Sequence, residues 1–225
     1  NGIVSNSATF GGGVYLEQSA PTIRGNWIMS NTASHSGGGI GTVFAEATVM
    51  SNTVQANVAA FGAGMSASGP VTITHNVFAY NDAGYGFGGA LHLTNNHGSQ
   101  WITVRGNTIV GNRAAFGGGL VLAEYPIMIA ANLVSGNTAS EGGAVWSGRT
   151  DTSFVNNALI DNTATRAAAG IAIDAGNPSF THNTIARNQS PDGAGVTLGD
   201  VFNTVTATMT NTVIVQQAVG ITVTT

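Results

Sequence analysis

Apolar and polar positions along this chain repeat on two nested scales. Over a few residues they alternate, as in Val14-Tyr15-Leu16, Leu91-His92-Leu93 and Ile171-Ala172-Ile173, which is the period of a strand with one buried face. Over longer distances the same apolar positions return. The aliphatic residue after each Gly or Ala cluster falls at Val14, Ile40, Met65, Leu91, Leu120, Val145, Ile171, Val196 and Ile221, in steps of 25 or 26 residues with one step of 29. No segment sustains a helical period.

A pair of Asn residues five apart marks every repeat. The first members are Asn1, Asn26, Asn52, Asn76, Asn107, Asn132, Asn157, Asn183 and Asn211. The second are Asn6, Asn31, Asn57, Asn81, Asn112, Asn137, Asn162 and Asn188, with Gln216 in the last place. Ile23, Val49, Ile73, Val104, Ile129, Phe154 and Phe180 stand three residues before the first Asn, and Ile3, Ile28, Val54, Phe78, Ile109, Val134, Leu159, Ile185 and Val213 lie inside the pair. With the post-glycine segment, these define three short strands per repeat. Such a repeat cannot bury its apolar face alone, so successive copies must stack.

The expected fold is therefore all-β: a right-handed parallel β-helix, or solenoid, of nine coils of 25–26 residues, forming a single domain over residues 1–225. The hand follows the usual right-handed connection between parallel strands. At about 4.8 Å per coil the rod is roughly 40 Å long. Stacked carboxamides offer donors and acceptors to the coils on either side, and Asn also tolerates left-handed turns. An inward column of Ala8, Ala33, Ala59, Ala83, Ala114, Ala139, Ala164, Ser190 and Ala218 marks a corner with little room.

The glycine clusters Gly11 to Val14 (GGGV), Gly37 to Ile40 (GGGI), Gly88 to Leu91 (GGAL), Gly117 to Leu120 (GGGL) and Gly142 to Val145 (GGAV) resemble the GGAI motif of the chlamydial polymorphic outer-membrane protein repeats. The Asn-pair segments, among them Ile3 to Asn6 (IVSN) and Phe78 to Asn81 (FAYN), resemble that family's FxxN motif. The resemblance covers almost the whole chain. It implies a β-helical region displayed on a bacterial surface, often adhesive. These 225 residues hold no Cys and no barrel-like segment, so the resemblance is expected to extend to the solenoid and not to autotransport.

Charge narrows the partners. Six Arg, no Lys and a net charge of −4 supply no basic field for nucleic acid. Without Cys there is neither a disulfide nor a thiolate metal site. No apolar run is long enough to span a bilayer, so this chain is not expected to insert into a membrane. In the repeat register Asp82 precedes Arg113, Asp161 precedes Arg187, Glu124 precedes Arg149, and Glu141, Arg166 and Asp192 share one position. Four of the six Arg are therefore expected to face an acid one coil away.

The remaining chemistry-bearing residues form no catalytic constellation. His75 and Arg105 are expected on one face, and Asp174 and Asp200 near each other after the glycine clusters. The Asn95 to Trp101 loop carries an aromatic that a sugar could stack on. Thr22, Thr48, Thr72, Thr103, Ser153 and Ser179 form an outward hydroxyl column, interrupted by Arg24, Met50, Arg105 and Met128, which is the basis for a minor ice-binding reading. Phe10, His35, Phe61, Tyr85 and Phe116 form an aromatic column that gives way to Glu141, Arg166 and Asp192.

No catalytic, cofactor-binding or metal-binding residue is assigned. The expected function is a structural or adhesive β-solenoid of a bacterial cell-surface or extracellular protein, contacting a glycan or a host or cell surface. Strands at both termini of the repeat array are expected to pair with further strands, in a longer solenoid or in copies stacked into a filament. The alternative is a carbohydrate-active β-helix enzyme, a polysaccharide lyase or glycoside hydrolase.

Overall fold

The computed structural model describes residues 1–94, 101–124, 126–199 and 203–224. These residues form three large parallel sheets, two short two-stranded parallel sheets after the second Asn (Ser7–Phe10 with Thr32–Ser36, and Thr138–Glu141 with Thr163–Ala167) and no helix. The residues inside the Asn pairs build a nine-stranded sheet from Gly2–Val4 to Val213–Val215. The post-glycine segments build a second nine-stranded sheet, from Val14–Glu17 to Val219–Val223. The segments before the first Asn build a third of eight strands, from Thr22–Arg24 to Thr208–Thr210. In these three large sheets every strand between the two end strands pairs in parallel with its counterparts one coil before and after, the topology of a parallel β-helix.

The aliphatic anchors pair in register from Val14↔Ile40 through Met65, Leu91, Leu120, Val145 and Ile171 to Val196↔Ile221. One continuous core runs inside the three sheets. Alternation puts Ile28, Val54, Phe78 and Ile109 of one sheet, Met65, Leu91 and Leu120 of another, and Val49, Ile73 and Val104 of the third into it, all with no exposed surface. Phe154 and Phe180 stack inside it in consecutive coils, with centroids 4.9 Å apart and planes 4° from parallel. The expected Ala corner is buried at Ala33, Ala59, Ala83, Ala114, Ala139 and Ala164, whereas Ala8 and Ala218 are exposed and Ser190 is half-buried.

The Asn residues form two buried ladders. Asn52 shows the unit: its Oδ1 accepts from the backbone N–H of Asn26 at 2.9 Å and from Asn26 Nδ2 at 3.1 Å, while its own Nδ2 donates to Asn76 Oδ1 and to the Ile23 carbonyl. Each carboxamide thus closes the coil before it and binds the coil after. The ladder residues themselves do not take the left-handed conformation expected of them. That conformation falls on the residue immediately before: Ser51, His75 and Ala131 before the first Asn, and Ser30, Tyr80 and Arg187 before the second, with φ between 53° and 55°. The carboxamide must point along the rod to reach the next coil, so the turn is made one residue earlier. Most of these turn residues carry a Cβ, a strain that the saturated ladder offsets.

The ninth coil corrects the expected register by one residue. Thr184 pairs with Val213 and Ile185 with Ile214, so Thr212, not Asn211, occupies the ladder and accepts from the Asn183 N–H. Gln217 replaces Gln216 in the same way, its Nε2 donating to the Val215 carbonyl. Asn211 takes the left-handed turn position at φ 48° and its Nδ2 contacts His182 Nε2 at 3.0 Å. The run Val213-Ile214-Val215 is apolar throughout, so alternation does not choose its inward face, and the packing of Ile214 against the core does.

Candidate functional site

Three of the four expected charge pairs form. Arg187 forks onto Asp161, Nε to Oδ1 at 2.8 Å and Nη2 to Oδ2 at 2.7 Å, and this hydrogen bonding holds the Asp161 carboxyl below the usual carboxylate range. Arg166 meets Glu141 at 3.4 Å and Arg113 meets Asp82 at 3.7 Å. These exposed pairs favour register more than stability. The fourth pair does not form, because among the described residues no ion pair joins Glu124 to Arg149. Asp192 does not extend the Glu141–Arg166 pair either. It accepts from the N–H groups of Ala168 and Ala194 and from the Ser190 hydroxyl, fastening a turn.

The aromatic column holds Phe87 where Tyr85 was expected. Ring centroids run Phe10–His35 5.0 Å, His35–Phe61 5.2 Å, Phe61–Phe87 5.7 Å and Phe87–Phe116 5.0 Å, while Tyr85 is 98% exposed. Phe10, Phe61, Phe87 and Phe116 each directly precede the first Gly of a cluster. Two extra residues separate Asn81 from its cluster, so counting forward from Asn selects Tyr85 and counting back from Gly selects Phe87. His92 and Trp146, on the outward side of the post-glycine sheet, stand edge-on to these rings. The column is therefore packed against the rod and buries part of its surface.

This packing has a titration consequence. Burial, with a contribution from His35, pushes the His92 imidazole down to about 4 from its ordinary 6.5. The unfolded chain takes up a proton between those values that the folded chain refuses. His92 therefore contributes stability fully above pH 6.5 and loses it progressively as pH falls toward 4, on the order of 1–3 kcal/mol in all. In urea melts between pH 7 and pH 4, His92→Phe is expected to flatten this part of the slope; an unchanged slope would show that the imidazole stays accessible to protons.

The other sequence candidates are spread over the rod. His75 lies with its ring against Gly106, next to Arg105 in the following coil, and both residues are exposed. The hydroxyl column pairs in register from Thr22 through Thr103, is broken by Met128, and resumes at Ser153. Arg24, Met50 and Arg105 lie on the same face, so it presents no unbroken hydroxyl lattice. Asp200 and Asn95 to Gln100 lie outside the described residues; Trp101, which ends that loop, is 49% exposed.

Glu124, Arg149 and Asp174 come together at one place. The strands Leu120–Ala123, Val145–Gly148 and Ile171–Ile173 belong to consecutive coils of the post-glycine sheet, and all three residues stand just beyond their ends. Glu124 and Arg149 take left-handed backbone conformations, φ 82° and 56°, and both are exposed. With Trp146, Gly148 and Asn203 they line a cleft of about 330 Å³. A Cβ on Gly148 would fall 2.6 Å from the Trp146 Cη2, so the absence of a side chain there is what lets the indole lie beside the cleft. Among the described residues the Arg149 side chain has no hydrogen-bond or ion-pair partner. Sequence reasoning reads Glu124 and Arg149 as a closed pair and misses the cleft. The available signal was Trp146, a large ring two residues before a glycine at a strand end.

Among the described residues no group of three His, Asp or Glu could hold a metal ion, and no helix is long and apolar enough to cross a membrane. Three large parallel sheets closed around one core and two buried Asn ladders define a β-solenoid, with an indole-walled cleft on its side. The profile of the right-handed β-helix region matches residues 1–157, and the chain belongs to that family, which gives the coil its right hand. No curated protein and no solved structure matches the chain.

Proposed function

We propose that this chain is a structural or adhesive part of a bacterial cell-surface or extracellular protein, a finer role within the β-helix family that the GGAI- and FxxN-like motifs support. The observation that carries this reading is the use of charge. Asp82, Glu141 and Asp161 bind Arg side chains of the next coil. Asp151 accepts from the backbone and side chain of Asn177, and Asp192 from two backbone amides. Acids spent in this way set the register of a rod and are not free for proton transfer. Antibody labelling and protease shaving of intact producing cells test the reading: surface signal lost on shaving is expected, and signal only after lysis overturns it.

The cleft favours one second reading, a carbohydrate-active enzyme in which Glu124 and Asp174 act as the carboxyl pair of a glycosidase. It requires sugar release from a polysaccharide panel that disappears in Asp174→Ala. Binding without release supports the adhesive role.

A further inference from the structure

We propose that the cleft beside Trp146 and Arg149 binds an uncharged sugar unit, an assignment that rests on the adhesive reading above. Four observations favour this ligand class. The first is size: about 330 Å³ lies at the lower end of small-ligand pockets, room for a pyranose and not for a folded partner. The second is the wall, since Trp146 lines the cleft and an indole offers an apolar surface to the C–H side of a sugar ring.

The third is the mixture of polar groups. Glu124 and Asp174 are acceptors, Arg149 is a fork of donors and the Asn203 amide is both. Vicinal hydroxyls, each a donor and an acceptor, match such a set better than any single charge does. The fourth is net charge: among the described lining residues, two carboxylates against one guanidinium leave −1. A uronate or sulfated sugar would bring its anion toward two carboxylates, and an amine would meet Arg149. The positions are also rigid, because the three charged residues stand at strand ends in consecutive coils, whose spacing the sheet fixes at about 4.8 Å.

The test is isothermal titration of the intact chain with neutral trimers of glucose, galactose, mannose and xylose, and with trigalacturonate as the anionic probe. At least one neutral trimer is expected to bind with a Kd of about 1 mM or tighter, and trigalacturonate more weakly. Arg149→Gln and Trp146→Ala are each expected to weaken binding tenfold or more. Trp146 also packs on Phe87 and Phe116, so its variant counts only if circular dichroism shows native sheet. Arg149, exposed and without an ion-pair partner among the described residues, provides the variant that leaves packing intact.

The assignment is overturned if no neutral trimer binds, if trigalacturonate binds best, or if Arg149→Gln binds as tightly as the parent. Failure of binding on a protein that is displayed on cells removes the sugar assignment alone. Binding by a protein found only inside cells keeps the assignment and removes the adhesive reading.

Discussion

Asn107→Leu is expected to destabilise the rod by about 3–5 kcal/mol, although the two side chains are close in size. Asn107 is 1% exposed and every polar atom of its carboxamide is committed. Its Oδ1 accepts from the Asn76 N–H at 2.8 Å and from Asn76 Nδ2 at 3.0 Å; its Nδ2 donates to the Ile73 carbonyl at 2.9 Å and to Asn132 Oδ1 at 3.0 Å. Leucine fills the space but leaves the Asn76 N–H without an acceptor and the Ile73 carbonyl without this donor. Each such buried orphan costs about 1–3 kcal/mol, far more than a hydrogen bond contributes when made.

Asn107→Asp separates this account from one based on packing. A carboxylate still accepts from Asn76, but it turns an oxygen toward the Ile73 carbonyl and Asn132 Oδ1. The burden is relieved when the acid is protonated. Its folded pKa is therefore raised, so the variant's stability is best at low pH and falls as pH rises through that pKa. Urea melts at pH 4 and pH 7 are expected to show a larger loss for Asn107→Asp at pH 7 and a nearly equal loss for Asn107→Leu at both. Equal losses for Asp at the two values would mean that solvent reaches the ladder and the saturation argument fails.

How far the sequence carries this structure follows from what repeats. A feature present in every coil is read nine times, and errors in one coil are outvoted. The anchors from Val14 to Ile221, the two Asn columns and three of the charge pairs all come from that averaging. What occurs once is not protected. The ninth coil slips by a residue because Val213-Ile214-Val215 is apolar on both faces. Phe87 is displaced by Tyr85 because two extra residues follow Asn81.

The cleft is a singular feature too. It depends on Trp146 lying beside Gly148 and on Arg149 forming no ion pair with Glu124, neither of which is a property of the repeat. The position of the left-handed turns was missed for another reason. Asn is the residue that tolerates φ > 0 most readily, and only the geometry of a carboxamide directed along the rod reveals that the strain belongs to the residue before it.

The glycine clusters pose the same question of local conformation against close approach, and a matched pair of substitutions answers it. Gly117 and Gly136 have nearly the same backbone, φ 60° and 63°. A Cβ on Gly136 would meet nothing nearer than the Gly111 nitrogen at 4.0 Å, whereas on Gly117 it would fall 2.1 Å from the Leu120 carbonyl oxygen and 2.7 Å from Val121 Cγ2. Gly136→Ala therefore carries only the left-handed penalty, about 1 kcal/mol. Gly117→Ala adds a clash with backbone held by the post-glycine sheet, and the loss is expected to reach about 3–4 kcal/mol. The fold contains one exception that makes the comparison decisive. Ala168 occupies the equivalent place at φ 50°, with Ala172 four residues on and the Asp192 carboxylate accepting from its N–H. If the chain around Gly117 can relax to that geometry, the two substitutions will cost the same and the clusters are selected for φ alone. If the difference of about 2–3 kcal/mol appears in the urea midpoints, the glycines are there because the turn lies directly on the strand that follows it.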